Sequence, residues 1–220
     1  MLAIDTILFD LDGTLVDSND LILESLKRTF AIHYPELNFS RSDLIQMMGP
    51  PLFETFRHYT NDEILVQTMI STYRRIYQLI EFDYVTLYPG VIPALKAFKE
   101  AGYNLGIVTT KYKISAMPSI EHFGIKEYID VIIGLDDVVN HKPHPEPVRK
   151  ALAGLNHKNA VMVGDSPSDL LSGSQAGILI CGVEWSYKRD ELLKIKPDFW
   201  LKDFNDLFMM IEKFNNIAEE

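Results

Sequence analysis

Carboxylates, a lysine and paired hydroxyls scattered along a chain can form a cradle for a phosphoryl group if the fold gathers them. Four clusters here have the right types: Asp10-Leu11-Asp12-Gly13-Thr14, Thr109-Thr110-Lys111, Lys142 in Asn140-His141-Lys142-Pro143, and Asp165 with Asp169 four residues on. Several carboxylates in one crevice repel each other unless a cation sits among them. Oxygen ligands alone favour a hard ion, and Mg²⁺ is the expected one. No cysteine or histidine ends the strands that carry these acids, which argues against zinc. Asp10 is the candidate nucleophile, because a carboxylate can attack phosphorus and give an aspartyl-phosphate that water then hydrolyses. Asp12 is the candidate acid/base for the leaving oxygen and the water. Their roles must divide, with Asp10 ionised and Asp12 able to carry a proton.

Positioning these residues requires strands that stop at them. Ile4–Phe9 is a short apolar run ending at the first acidic turn. From residue 85 onward helix and strand patterns alternate. The strands are 104–108, 131–134, 160–163, 178–182 and a short 199–201. The helices are 91–101, 114–123, 147–155, 168–176 and 204–214. Alternation of this kind predicts an α/β fold, a Rossmann-like doubly wound parallel sheet. In such a sheet, ligands bind beyond the carboxyl ends of the strands. The four clusters all fall there. Between residues 17 and 84 no strand pattern appears and apolar residues recur at helical spacing, with breakers at Tyr34-Pro35 and Gly49-Pro50-Pro51. The expected organisation is a catalytic core of 1–16 and 85–220 with an inserted all-helical cap over 17–84.

Composition narrows the partners. The 220 residues carry 21 basic and 31 acidic side chains, a formal charge of −10. An acidic chain without a basic block is a poor match for nucleic acid or an anionic membrane. A single cysteine, Cys181, allows no intrachain disulfide and fits a reducing compartment. The first ten residues show no basic stretch ahead of an apolar run, so no signal peptide is expected and the cytoplasm is the default. Oligomeric state is open.

Taken in order, Asp10-Leu11-Asp12-Gly13-Thr14-Leu15, Val108-Thr109-Thr110-Lys111, Lys142-Pro143 and Gly164-Asp165-Ser166-Pro167-Ser168-Asp169 resemble the motifs of the haloacid dehalogenase superfamily of phosphotransferases. The likeness covers essentially the whole chain, and the helical insert looks like a C1-type cap. Within the superfamily the chain resembles the phosphoglycolate-phosphatase-like branch. The resemblance implies that Asp10 is nucleophile and Mg²⁺ ligand, and that Asp12 is acid/base and lends the metal its backbone carbonyl. It also implies that Thr109 hydrogen-bonds the phosphoryl oxygens with Thr110 beside it. Lys142 would neutralise charge, Asp165 would ligate the metal, and Asp169 would act one contact behind it. Gly13 belongs with the expected substrate-binding residues.

Met48-Gly49-Pro50-Pro51-Leu52, Thr72-Tyr73-Arg74 and Leu135-Asp136-Asp137-Val138 carry a further likeness to bacterial pyrophosphatases. Inorganic pyrophosphate is therefore the expected substrate, with phosphoglycolate or another small phosphomonoester as the alternative. The distal phosphoryl of pyrophosphate needs its own contacts, and the core is expected to offer none beyond Lys142 and the metal. The Gly49-Pro50-Pro51 turn and Arg74 are the candidates in the cap, which is expected to close over the site. A phospho-accepting receiver module is the reading from another class. It would place the acidic pair on the first strand and the accepting Asp on a later one, without a long insert.

Overall fold

The computed structural model describes residues 3–219. In chain order the elements begin with strand β1 (Thr6–Phe9), the two-residue strand β2 (Val16–Asp17), and helices α1 (Asn19–His33), α2 (Arg41–Gln46), α3 (Leu52–Arg57) and α4 (Glu63–Tyr84). After a second two-residue strand, β3 (Thr86–Leu87), come α5 (Val91–Glu100), β4 (Asn104–Val108), α6 (Lys113–His122), β5 (Val131–Ile133) and α7 (Glu146–Ala153). The last stretch holds β6 (Ala160–Gly164), α8 (Pro167–Ala176), β7 (Leu179–Val183), α9 (Arg189–Ile195), β8 (Phe199–Leu201) and α10 (Phe204–Glu219). The chain divides into two compact units, Met1–Val16 with Leu87–Glu220, and Asp17–Thr86. The second junction falls two residues beyond 84/85, because Thr86–Leu87 pairs with Val16–Asp17 as a two-stranded sheet.

The first unit is built on a six-stranded sheet in the order β5-β4-β1-β6-β7-β8, parallel throughout. β1 is central, with Phe9 opposite Ile107 of β4 on one side and Val163 of β6 on the other. Ile7, Leu8 and Phe9 are buried, as expected for a strand covered on both faces. On one face Leu8, Val108 and Met162 pack with Val148, Ala151 and Leu152 of α7. Elsewhere Phe9 meets Phe204 of α10 at 6.2 Å between ring centroids, and Phe98 of α5 meets Phe208 at 5.2 Å. Each such apolar side chain contributes about 1.5–3 kcal/mol when fully enclosed. α10 also anchors the start of β1. Asn215 accepts from the backbone N–H of Ile4 at 2.7 Å and donates to its carbonyl at 2.8 Å.

The second unit is all-helical. α1 and α4 are its long helices, and His33 and Thr72 join them at 2.9 Å. Phe30 centres an aromatic cluster, with Phe39 at 4.6 Å, Tyr59 at 4.8 Å and Phe56 at 5.8 Å. Buried Tyr73 and Tyr77 complete the inward face of α4. Asp62 caps α4 by accepting from Ile64 N and Leu65 N. Among the described residues, no helix is long and apolar enough to cross a membrane.

Candidate active site

The three acid- and hydroxyl-bearing turns of the core leave neighbouring strands at one level. Register places Asp10 just past β1, Thr109 just past β4 and Asp165 just past β6. Adjacent strands lie about 4.8 Å apart, so their ends form one rim. The Asp10 N–H donates to Val163 O at 2.9 Å and the Thr109 N–H donates to Ile133 O at 2.9 Å, which carries the sheet pairing up to the site.

Lys142 arrives from the loop after β5. Its ammonium donates to Asp10 Oδ1 at 2.7 Å, to Val108 O at 2.9 Å and to Asp169 Oδ1. Those three contacts use the three donors of the group. Its side chain is 2% exposed. Asp169, in the first turn of α8, turns its other oxygen, Oδ2, to the Ser166 N–H at 2.9 Å and the Ser166 hydroxyl at 2.6 Å. This is a capping box, and it fixes the carboxylate on both sides. The helix start comes close enough to β6 that a Cβ on Gly164 would lie 2.3 Å from Asp169 Cβ.

Gly13 has φ +83°, and a Cβ there would lie 2.4 Å from Asp165 Oδ2. Only glycine lets the first loop pass this close to that carboxylate. Its N–H donates to Val16 O at 2.8 Å and its carbonyl accepts from the Trp185 indole at 2.9 Å. Both backbone groups of Gly13 are thus used inside the fold, and what it gives the site is space. The Thr109 hydroxyl oxygen accepts from the Lys111 N–H at 3.1 Å, which leaves its own proton to donate. Thr110 beside it is half-buried.

One oxygen from each of Asp10, Asp165 and Asp169 lies within 4.8 Å of the others. Burial lifts the Asp10 carboxyl to about 7; Lys142 pulls it down and Asp169 pushes it up again. Asp165 is held well above the usual carboxylate range by burial, then by Asp169 and Asp10. Burial alone would lower Lys142, but Asp10 and Asp169 outweigh it and raise it. Three carboxylates against one ammonium leave an excess of negative charge in a buried place. A cation relieves that excess, so the donor set fits a metal ion.

The expected cluster of Asp10, Lys142, Asp165 and Asp169 is together in this rim, with Thr109 buried at its edge. The Asp12 side chain is engaged elsewhere, in an ion pair with Lys111 at 3.0 Å. Gly49 and Arg74 belong to the helical unit, Gly49 exposed between α2 and α3 and Arg74 half-buried on α4. Lys111 stands outside the expected distal contacts; its N–H donates to the Thr109 hydroxyl oxygen and its ammonium meets Asp12 of the first loop. Ser166 and Trp185 were also missed. The spacing Ser166-x-x-Asp169 ahead of a helix is a capping signal that could have revealed the first. Trp185 follows β7, and the strand-end rule could have revealed it.

Comparison with known proteins agrees with this geometry. The sequence profile described as haloacid dehalogenase-like hydrolase matches residues 7–183, which include Asp10, Asp12, Gly13, Thr109, Lys142, Asp165 and Asp169. The pyrophosphatase PpaX of Bacillus pumilus is 43% identical over 212 residues, covering 95% of this chain and 97% of that protein. The pyrophosphatase PpaX of Halalkalibacterium halodurans is 38% identical over 213 residues, with 96% and 98% covered. A haloacid dehalogenase-like family hydrolase from Streptococcus pneumoniae superposes with a TM-score of 0.81 at 26% identity, covering 94% of this chain and 98% of that one. With the profile spanning most of the chain and the acidic rim built on the three central strands, this chain belongs to the haloacid dehalogenase-like hydrolase family.

Proposed function

We propose that this phosphohydrolase cleaves inorganic pyrophosphate, with Mg²⁺ as its metal and Asp10 as its nucleophile. The observation that carries the reading is the buried Asp10–Lys142–Asp169 arrangement beside Asp165. It fixes one carboxylate at the rim and neutralises it. The kinship with pyrophosphatases at 38–43% identity supports the choice of substrate. Asp10, Asp165 and the backbone carbonyl of Asp12 would hold the ion, which when bound supplies positive charge against the phosphoryl oxygens.

In the first step an Asp10 oxygen attacks phosphorus, and the bond to the leaving phosphate breaks as Asp12 gives that oxygen a proton. In the second, Asp12 takes a proton from water as the water attacks the aspartyl-phosphate, and inorganic phosphate departs. Thr109 donates its hydroxyl to a phosphoryl oxygen, with Thr110 next to it. Lys142 offsets the charge between nucleophile and phosphate. Asp169 orients Lys142, and Gly13 makes room beside Asp165. Gly49 and Arg74 enter this proposal from the sequence alone. For Arg74→Ala the expected result is a raised KM for pyrophosphate with p-nitrophenyl phosphate turnover kept within a few-fold.

Phosphate release from a panel of small phosphorylated metabolites that includes pyrophosphate tests the proposal. Pyrophosphate is expected to lead in kcat/KM, with activity lost in EDTA and restored by Mg²⁺. Asp10→Asn is expected to lower kcat at least about 10³-fold, because an amide cannot attack phosphorus. Near-native turnover by that variant removes Asp10 as nucleophile. A panel led by another phosphate ester removes pyrophosphate as substrate.

A further inference from the structure

A substrate with two anionic groups needs a second cation, and Lys142 can supply one only by giving up a contact. All three of its donors are committed, to Asp10, Val108 O and Asp169. Lys111 is placed differently. Its Nζ lies 3.1 Å from Asp12 Oδ1 and 3.0 Å from Asp12 Oδ2, so the ammonium straddles the carboxylate. Its side chain is 17% exposed, which leaves a path from solvent that Lys142 lacks. Its backbone is fixed on both sides, the N–H on Thr109 Oγ1 at 3.1 Å and the carbonyl on the Leu135 N–H at 2.8 Å. Thr109 and Asp12 each neighbour the reacting centre, so this ammonium is presented at its edge from a rigid loop.

We propose that Lys111 is the core's specificity-determining cation. The Asp12 carboxylate stands in for an anion while no substrate is bound, and the second anionic group of the substrate takes the ammonium over. That group is the distal phosphoryl of pyrophosphate under the function proposed above, and this identity rests on that reading. One ion pair replaces another, so no charge is left unpaired at Lys111 during the exchange. A phosphoryl group outbids the Asp12 carboxylate because it carries more charge and more acceptor oxygens, and the carboxylate of phosphoglycolate exchanges with it like for like. A phosphomonoester with an uncharged leaving group offers Lys111 no second anion to bind.

The test compares wild type, Lys111→Ala and Lys111→Arg on four substrates. Pyrophosphate and phosphoglycolate carry a second anionic group; p-nitrophenyl phosphate and methyl phosphate do not. Lys111→Ala is expected to raise KM for the first two roughly 10- to 100-fold, the usual weight of a charged hydrogen bond. The two monoesters should stay within a few-fold in kcat/KM, and Lys111→Arg should recover most of the lost affinity. A uniform loss on all four substrates, or no change on any, overturns the proposal. A wild type that prefers phosphoglycolate ends the pyrophosphate reading, while Lys111 is still judged by the contrast between phosphoglycolate and the monoesters. Binding gives a readout without turnover. Calorimetry should find that Lys111→Ala weakens imidodiphosphate and spares inorganic phosphate; equal weakening, or none, overturns the assignment. Should the Ala variant fail to fold, Lys111→Gln takes its place in the same comparisons, with the same two outcomes decisive.

Discussion

Asp10 and Lys142 meet at 2.7 Å with Asp169 against the same ammonium, and all three side chains are removed from water. Readiness of this kind has a stability cost that pH should expose. In the folded protein Asp10 is raised from 3.8 to about 7, chiefly by burial. Between those values the folded state holds a proton that the unfolded state has released. Metal-free stability therefore falls as pH rises through that window. Asp10→Asn removes the buried charge. The metal-free variant should be more stable than wild type at pH 8, by at least about 1 kcal/mol, with the gain shrinking toward pH 4. Denaturant melts in EDTA at the two pH values measure this, and an equal difference at both would refute it.

The N-terminus of α8 is where an element's own stability and the site coincide. Ser166 binds Asp169 Oδ2 through both its N–H and its hydroxyl, and the same carboxylate steadies Lys142 through Oδ1. Ser166→Ala keeps the backbone bond and loses the hydroxyl. The expected loss is about 1 kcal/mol of stability, or about 2–4 °C in Tm for a chain of this size. Because Asp169 and Lys142 then lose orientation, kcat should fall more than KM rises, which steady-state kinetics on pyrophosphate would show. Elements as regular as β4 and β6 are legible in sequence, since an apolar run bounded by turn residues leaves few alternatives. The paired dipeptides Val16–Asp17 and Thr86–Leu87 are too short to carry any period, so the pattern of residues predicts no strand at either. The seven-residue α9 was missed for the same reason. At the site, Asp10, Thr109, Lys142 and Asp165 were legible because a strand-end rule acts on positions. The Lys111–Asp12 pair depends on how two loops turn, and no spacing encodes that.

For the whole molecule, the site end and the opposite end of β1 are held by different means. At the far end, Asn215 of α10 brackets Ile4 and donates to the Tyr103 hydroxyl at 2.9 Å, which itself donates to Glu212 at 2.5 Å. Asn215→Ala strands the Ile4 backbone groups and should cost about 1–3 kcal/mol. Since none of these residues is at the carboxyl rim, kcat on pyrophosphate should be unchanged below the melting transition. A fall in kcat at constant folded fraction would show that the two ends are coupled. The placement of β1 has another consequence, for the order in which the chain acquires structure. Its neighbours are β4, which pairs Asn104 with Thr6, and β6, which pairs Ala160 with Thr6. During synthesis β1 therefore has both edges open until β4 is made, and its β6-facing edge open until more than two thirds of the chain has followed it. The helical segment has only local partners and can form meanwhile, but the centre of the sheet cannot. A nascent chain halted before Ala160 would still expose the β6-facing edge of β1, a template for pairing between chains, so the vulnerable interval in this protein's life is its translation.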